Sequence, residues 1–462
     1  MKTNFYSLFS QNLNFSLEEN EKEIDNQEIL KKIETLKKNL LNISTNWKNK
    51  EVYLDIKDRK LFIFMFLALQ SLEAKIVLIP IEIKSEDYIC FDKIFISDNK
   101  NIDNFIFIND DLTLKVGKNF LFSESINEND HLLYLYTSGS TGKPKLIPKT
   151  YQNLITELQE LKKIFDIKEN DTFYFTIPLY HIYGFLFGFL LPLYTNCKLI
   201  IDYNFTPETI ADFVEKKQIS YFISIPSYYK MFVNLNLIEK FRKCKMLVSS
   251  SAPLSYEISA EFFKKNIKIT EVYGSTETGG IAFRISAIKN DWQLFSYVKI
   301  INNNCDYYEN DENIKELIID SPAIYGKEKY YNTGDIVKLS DANKFSLIGR
   351  NTRFVKISGK RVDLQYITEK IKEYFYQISC QKITDDIIYI GEIDEKVFVI
   401  YENEFPQSNS EMKNELKKHL PGYAVPRYFF SMKIPKNEMG KINKNKINEI
   451  VLKIQENKVE NK

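Results

Sequence analysis

Residues Thr137 to Lys145 read T-S-G-S-T-G-K-P-K directly after the apolar run Leu132 to Tyr136, so a buried strand is expected to open into a polar bend. The hydroxyls of Thr137, Ser138, Ser140 and Thr141 and the ammonium of Lys145 can all donate to an anion. Gly139 and Gly142 let the backbone turn tightly and bring its own N–H groups close to phosphate oxygens. The combination predicts a grip for a polyphosphate. No G-x-x-x-x-G-K-[ST] spacing exists here, which excludes a P-loop. Glycine, serine and threonine also dominate ordinary surface turns, so the bend gains its weight from companion motifs.

The string resembles the phosphate loop of the adenylate-forming superfamily: acyl- and aryl-CoA synthetases, adenylation domains of peptide synthetases, and firefly-type luciferases. Further elements of that family follow in its order. Tyr273-Gly274-Ser275-Thr276-Glu277 matches Y-G-x-T-E. The resemblance implies that Tyr273 stacks on adenine and Thr276 bonds the α-phosphate. Glu277 would ligate Mg2+, a hard cation that binds through one or two carboxylates plus phosphates. Tyr331 to Asp335 matches Y-x-T-G-D, with Asp335 on the ribose hydroxyls. Gly349-Arg350, then Lys356, Gly359, Arg361 and Asp363, follow the hinge pattern, with Arg350 helping to hold the ribose. Thr352 departs from it, standing where the family carries Asp or Lys. Pro435 to Lys441 matches P-x-x-x-x-G-K and makes Lys441 the cation that neutralises carboxylate attack on the α-phosphate.

Tyr180-His181 falls where the family places an aromatic residue and a pocket-entry residue. Amino-acid-activating members typically carry Phe-Asp there, the acid pairing with the substrate amine. His181, one of three histidines, therefore points to a fatty or aryl acid and is a candidate catalytic group. By the same resemblance Gly184, Phe185, Gly274 and the segment Ser250-Ser251-Ala252 line the acid pocket. Serines at 250 and 251, where the family favours glycines, suggest a modest or polar-tipped acid. The implied activity is ATP-dependent formation of an acyl-adenylate, then transfer to the thiol of CoA or of phosphopantetheine on an acyl carrier protein. The alternatives are an amino-acid adenylation enzyme loading a peptidyl carrier protein, a luciferase-like oxygenase, and a catalytically silent binding protein.

These residues need a frame. Thr172 to Thr176, Lys198 to Ile201, Lys245 to Ser249 and Lys268 to Val272 read as strands. Helices are expected over Tyr151 to Phe165, capped by Thr150, and from Thr206-Pro207-Glu208 onward. Alternation of the two predicts an α/β fold. At 462 residues more than one domain is expected. The resemblance implies a large N-terminal domain, 1–350, of two β-sheets flanked by helices plus a small barrel-like part. A small mobile α+β domain, 351–462, would carry Lys441. Net charge of +1 gives no global signal for nucleic acid. Leu61 to Leu69 and Ile182 to Tyr194 are too short to span a bilayer and read as buried core. Five scattered cysteines without a C-x-x-C pair, and no signal peptide, suggest a reduced cytoplasmic setting.

Overall fold

The computed structural model describes residues 5–11, 14–80, 93–99, 105–118, 130–138, 144–203, 206–288, 291–301, 313–325, 330–350, 354–357, 360–379, 387–393, 396–402, 408–437, 442–443, 446–447 and 449–453. Two compact units emerge: 1–299 with 320–331, and 300–319 with 332–462.

In the first unit β1 (Ser16–Glu19) and β2 (Lys22–Ile24) form a hairpin at the rim of the larger sheet. Helix α1 (Phe5–Gln11) precedes them and α2 (Asn26–Ile43) follows. A second sheet takes β3 (Glu51–Asp55), β4 (Lys75–Leu78), β5 (Ile94–Ser97), β6 (Ile106–Ile108), β7 (Leu114–Val116), β8 (His131–Ser138) and β9 (Pro144–Thr150). Their order is β7-β6-β5-β3-β4-β8-β9, parallel from β6 to β8. The chain then returns to the larger sheet through β10 (Thr172–Phe175), β11 (Lys198–Ile201), β12 (Tyr221–Ser224), β13 (Met246–Ser249), β14 (Ile269–Ser275) and β15 (Gly279–Ile285). That part runs β15-β14-β13-β12-β10-β11-β1, parallel except for the β14–β15 hairpin.

The four expected strands and both expected helices are present, with ends shifted by at most three residues. Helix α4 (Tyr151–Ile164) starts at a capping box in which Thr150 accepts from the Asn153 N–H and Asn153 returns the bond. The expected run from Thr206 forms Pro207–Lys217, capped by the Thr206 hydroxyl.

Helix α3 (Arg59–Ser71) is buried on nearly every side, as its all-round apolarity requires. Phe62 and Phe66 pack edge-on against Phe185 of α5 (Ile182–Phe185), and Phe66 also meets Phe189 one turn further on. Both apolar runs are therefore core, and among the described residues no helix is long and apolar enough to cross a membrane.

The order of the larger sheet reverses at β10, which has β11 on one side and β12 on the other. Crevices at the carboxyl ends of strands beside such a reversal are where open α/β sheets bind ligands. Pro178 to His181 leave the end of β10, Ser250 to Ala252 leave β13, and Tyr273 to Glu277 close β14. Buried Arg59 steadies that edge, donating to the carbonyls of Phe175, Thr176 and Ile177.

In the second unit Ile314–Asp320, Tyr331–Asp341 and Lys344–Arg350 are neighbouring strands in that order. They make an open meander, and no closed barrel occurs among the described residues. A separate core between Ile357 and Phe429 packs Leu364–Ser379 against the sheet Ile388–Ile393, Lys396–Tyr401 and Tyr428–Ser431.

Candidate active site

The β14–β15 turn is closed by its own hydroxyls. The Ser275 N–H donates to Thr278 Oγ1 at 3.0 Å, and the Thr278 N–H donates back to Ser275 Oγ at 3.2 Å. Gly279, at φ +68°, sends the chain back in a conformation that glycine adopts without strain. Thr276 and Glu277 at the tip are thus not needed to hold the turn. Among the described residues neither the Thr276 hydroxyl nor the Glu277 carboxylate has a hydrogen-bond or ion-pair partner. Both side chains are half-buried, so a ligand can reach them. A carboxylate oxygen and a hydroxyl oxygen on one tip form a donor set suited to a hard cation and a phosphate. They fit Mg2+.

A strap from Ser321 to Tyr325 ties this tip to the flank of the Gly/Ser/Thr bend. The Tyr325 N–H donates to the Glu277 carbonyl at 3.0 Å. Lys145 Nζ reaches the Tyr325 hydroxyl at 2.7 Å and lies 4.9 Å from the centre of its ring. Asn153 Nδ2 donates to the carbonyls of Pro322 at 2.7 Å and Ile324 at 3.1 Å. Lys149, wholly buried, donates to the carbonyl of Ala323 at 2.7 Å and of Glu277 at 3.4 Å. Burial lowers the Lys149 pKa to about 8, against the opposing pull of Glu157 and Glu277.

Thr137 is the penultimate residue of β8, its hydroxyl 3.4 Å from the Lys145 carbonyl, and Ser138 pairs with Pro144 across the hairpin. Gly139, Ser140, Thr141 and Gly142 lie outside the described residues, as does the Ser138 side chain. The bend is therefore bracketed by strands whose base is wired to the Thr276–Glu277 tip. Lys149, Asn153, Glu157 and Tyr325 were not singled out from the sequence. Period-two alternation places Lys149 on the same face of β9 as Lys145, the one signal that could have marked it.

The Tyr273 ring lies 5.4 Å from Trp292, and the hairpin register slips between Tyr273 and Gly274. Tyr180 is buried, its ring 4.7 Å from that of His181, which is half-buried at the start of α5. Two of the expected lining residues have other roles. Phe185 is fully buried, its ring against Phe62, Phe66 and Phe189, because the apolar run it belongs to packs on α3. Gly184 serves close packing: a Cβ there would come within 2.0 Å of the Pro178 carbonyl oxygen.

Ser250 spends its hydroxyl on the Val272 carbonyl at 2.7 Å, so it fixes the loop to β14 and has no donor left for substrate. Glu271 holds the same loop, accepting from the Leu254 N–H, Arg284 Nε and the Ser286 hydroxyl. Ser251 and Ala252 are half-buried beside it. Ser251 sits at φ +77°, a conformation strained for an L side chain. Ser251→Gly is expected to stabilise the fold by about 1 kcal/mol, less the freedom glycine adds to the unfolded chain. Urea unfolding measures the balance, and a lowered midpoint would reveal a structural bond made by that hydroxyl.

In the second unit Asp335 is buried, and its N–H donates to the Thr333 hydroxyl. The backbone register sets it directly opposite Arg350, so both expected ribose residues share one rung of the hairpin. The Arg350 side chain, Thr352 and Lys441 lie outside the described residues. Either side of residues 438–441, Lys436 bridges Ile442, and the Asn443 N–H donates to the Pro435 carbonyl at 2.8 Å.

Comparison with known proteins decides the family. The sequence model described as AMP-binding enzyme matches residues 66–318, more than half of the chain. The chain belongs to the AMP-binding enzymes. Gramicidin S synthase 2 of Brevibacillus brevis is 22% identical over 69% of the chain, which spans only 8% of that relative's length. The 2-succinylbenzoate–CoA ligase of Staphylococcus aureus is 23% identical over 82% of each protein. ATP-bound MatB from Rhodopseudomonas palustris shares the fold, with a TM-score of 0.77 at 16% identity over 97% of this chain and 99% of that one. As an AMP-binding enzyme, this protein has the α/β fold of its structural neighbours.

Proposed function

We propose that this protein is an ATP-dependent acid–thiol ligase acting on a fatty or aryl acid. The observation that carries the reading is the hairpin tip, where a hydroxyl and a carboxylate that have no partner among the described residues are wired through Lys149 and Tyr325 to the base of the Gly/Ser/Thr bend. Membership of the AMP-binding enzymes and likeness to an acid–CoA ligase along most of both chains support it.

In the first half-reaction a carboxylate oxygen of the acid attacks the α-phosphorus of ATP. The bond to the bridging oxygen breaks and pyrophosphate leaves. Thr276 donates to an α-phosphate oxygen, Tyr273 faces the adenine, and Asp335 and Arg350 take the ribose. Glu277 would hold Mg2+, which when bound would supply positive charge to the phosphates. In the second half-reaction a thiolate attacks the acyl carbon and the bond to AMP breaks, the thiol proton passing to solvent. The acceptor is CoA or the phosphopantetheine of a carrier protein. Residues 351–462 act as a mobile lobe that brings in Lys441 for the first step, a role supported by the self-contained core between Ile357 and Phe429.

Pyrophosphate exchange across a panel of fatty, aryl, dicarboxylic and amino acids tests the proposal. Acid-dependent exchange with a fatty or aryl acid is expected. Exchange driven only by amino acids would assign it instead to carrier-protein loading with an amino acid, the reading that Tyr180-His181 disfavours. ATP binding without exchange on any acid would leave a silent binding protein.

A further inference from the structure

Beneath the Thr276–Glu277 tip lies a charged pair that the proposed chemistry does not use. Lys149 is 0% exposed at the end of β9, and Glu157 is 2% exposed on α4. The pair grips the hairpin from two sides. Lys149 Nζ holds the carbonyl of Glu277 itself, together with Ala323 of the strap. Glu157 Oε2 accepts from the Gly280 N–H at 2.7 Å, on the returning strand. Glu157 Oε1 has no hydrogen-bond partner among the described residues. It fits beneath the hairpin because Gly279 has no side chain: a Cβ there would lie 2.4 Å from that oxygen.

A buried ammonium and a half-satisfied buried carboxylate are an expensive way to support a surface turn, since each charge must leave water. The turn already closes through Ser275 and Thr278. What the pair adds is orientation: it fixes the carbonyl of Glu277 and the amide of Gly280, and so the direction in which the tip presents its two ligands.

We infer that Lys149 and Glu157 are positioning residues for nucleotide binding, holding the Thr276–Glu277 tip in the attitude that the triphosphate and its cation require. The inference rests on the ligase reading for the identity of the ligand, but its geometry does not depend on which acid is activated. Groups that act on ligands only through their orientation commonly change affinity or activity by about 10- to 100-fold when removed.

The test compares Lys149→Met, Lys149→Arg, Glu157→Gln and the double variant K149M/E157Q, which removes both charges at nearly constant volume. Three quantities are read: the unfolding midpoint, the affinity for AMP by calorimetry without divalent metal, and acid-dependent pyrophosphate exchange. For the double variant the expected result is a folded protein whose AMP affinity falls about 10-fold or more. Its KM for ATP should rise while its KM for the acid stays put. Lys149→Arg, which keeps the cation and its donors, should recover much of the loss. Amide hydrogen exchange should quicken at residues 275–280 in K149M/E157Q, a readout that needs no ligand. Wild-type AMP affinity and unchanged exchange at 275–280 in the folded double variant would overturn the inference. A wild-type protein that binds AMP yet activates no acid would instead sink the ligase reading, leaving the affinity ratio to decide this one.

Discussion

Lys441→Ala should abolish acid-dependent ATP–pyrophosphate exchange while leaving thioester formation from a supplied acyl-adenylate intact. The reason is electrostatic. A carboxylate approaching the α-phosphate sets two anions against each other, and negative charge then moves onto the departing pyrophosphate. A point cation placed between them stabilises the transition state more than the separated reactants, so its removal falls on the rate of the chemical step. Losing one such group costs about 100- to 1,000-fold. The second half-reaction starts from the adenylate and builds no such charge, which is why it should survive. The P-x-x-x-x-G-K string that carries Lys441 is pinched at its base by the Lys436–Ile442 bridge and the bond from Asn443 to Pro435. Neither contact uses the Lys441 side chain, so truncating that side chain is expected to spare the fold. Full exchange by the alanine variant would refute the role of Lys441, and loss of both half-reactions would point to general damage.

The parts of this molecule that were legible in the sequence share one property: their signals are local. Thr150 and the period of apolar residues announce α4, and Thr206-Pro207 announces the helix that follows it. Short apolar runs between and after them give β10, β11, β13 and β14. The Y-G-x-T-E string marked the hairpin tip because its residue types carry their chemistry with them. The support beneath the tip was hidden because it is assembled across long sequence distances. Lys149 meets Ala323, and Glu157 meets Gly280, only after the β14–β15 hairpin and the 321–325 strap have packed. A lysine in a strand reads as a surface residue until that packing is known, since buried lysines are rare without partners. Phe185 failed for the opposite reason. An apolar residue beside a pocket motif can face the pocket or the core, and only the position of Phe62 and Phe66 decides for the core. Ser250 was read as a hydroxyl for substrate, yet the Val272 carbonyl lay closer than sequence spacing could reveal.

Gly274→Ala should produce a large loss although it removes no functional group. Gly274 faces solvent, so an exposed-surface argument would let the methyl pass unnoticed. The hairpin geometry says otherwise. A Cβ at 274 would stand 2.2 Å from the Gly279 carbonyl oxygen and 3.0 Å from both the Gly279 carbonyl carbon and the Gly280 Cα. All three are backbone atoms of the partner strand, so no side chain can swing aside. The strands must separate, and they must do so where the register already slips between Tyr273 and Gly274. Overpacking of this kind costs about 1–3 kcal/mol. The functional loss should exceed what that figure suggests, because the displaced strand carries Gly279 and Gly280, the anchors that set the tip. Moving a ligand group by an ångström can cost about 100-fold in rate. The variant should therefore unfold at a lower temperature and also lose nucleotide affinity at temperatures where it remains folded. Calorimetric titration with AMP well below the unfolding midpoint separates the two effects. Wild-type affinity there would mean that the tip tolerates a shifted hairpin, and that Thr276 and Glu277 find their ligands by adapting to them.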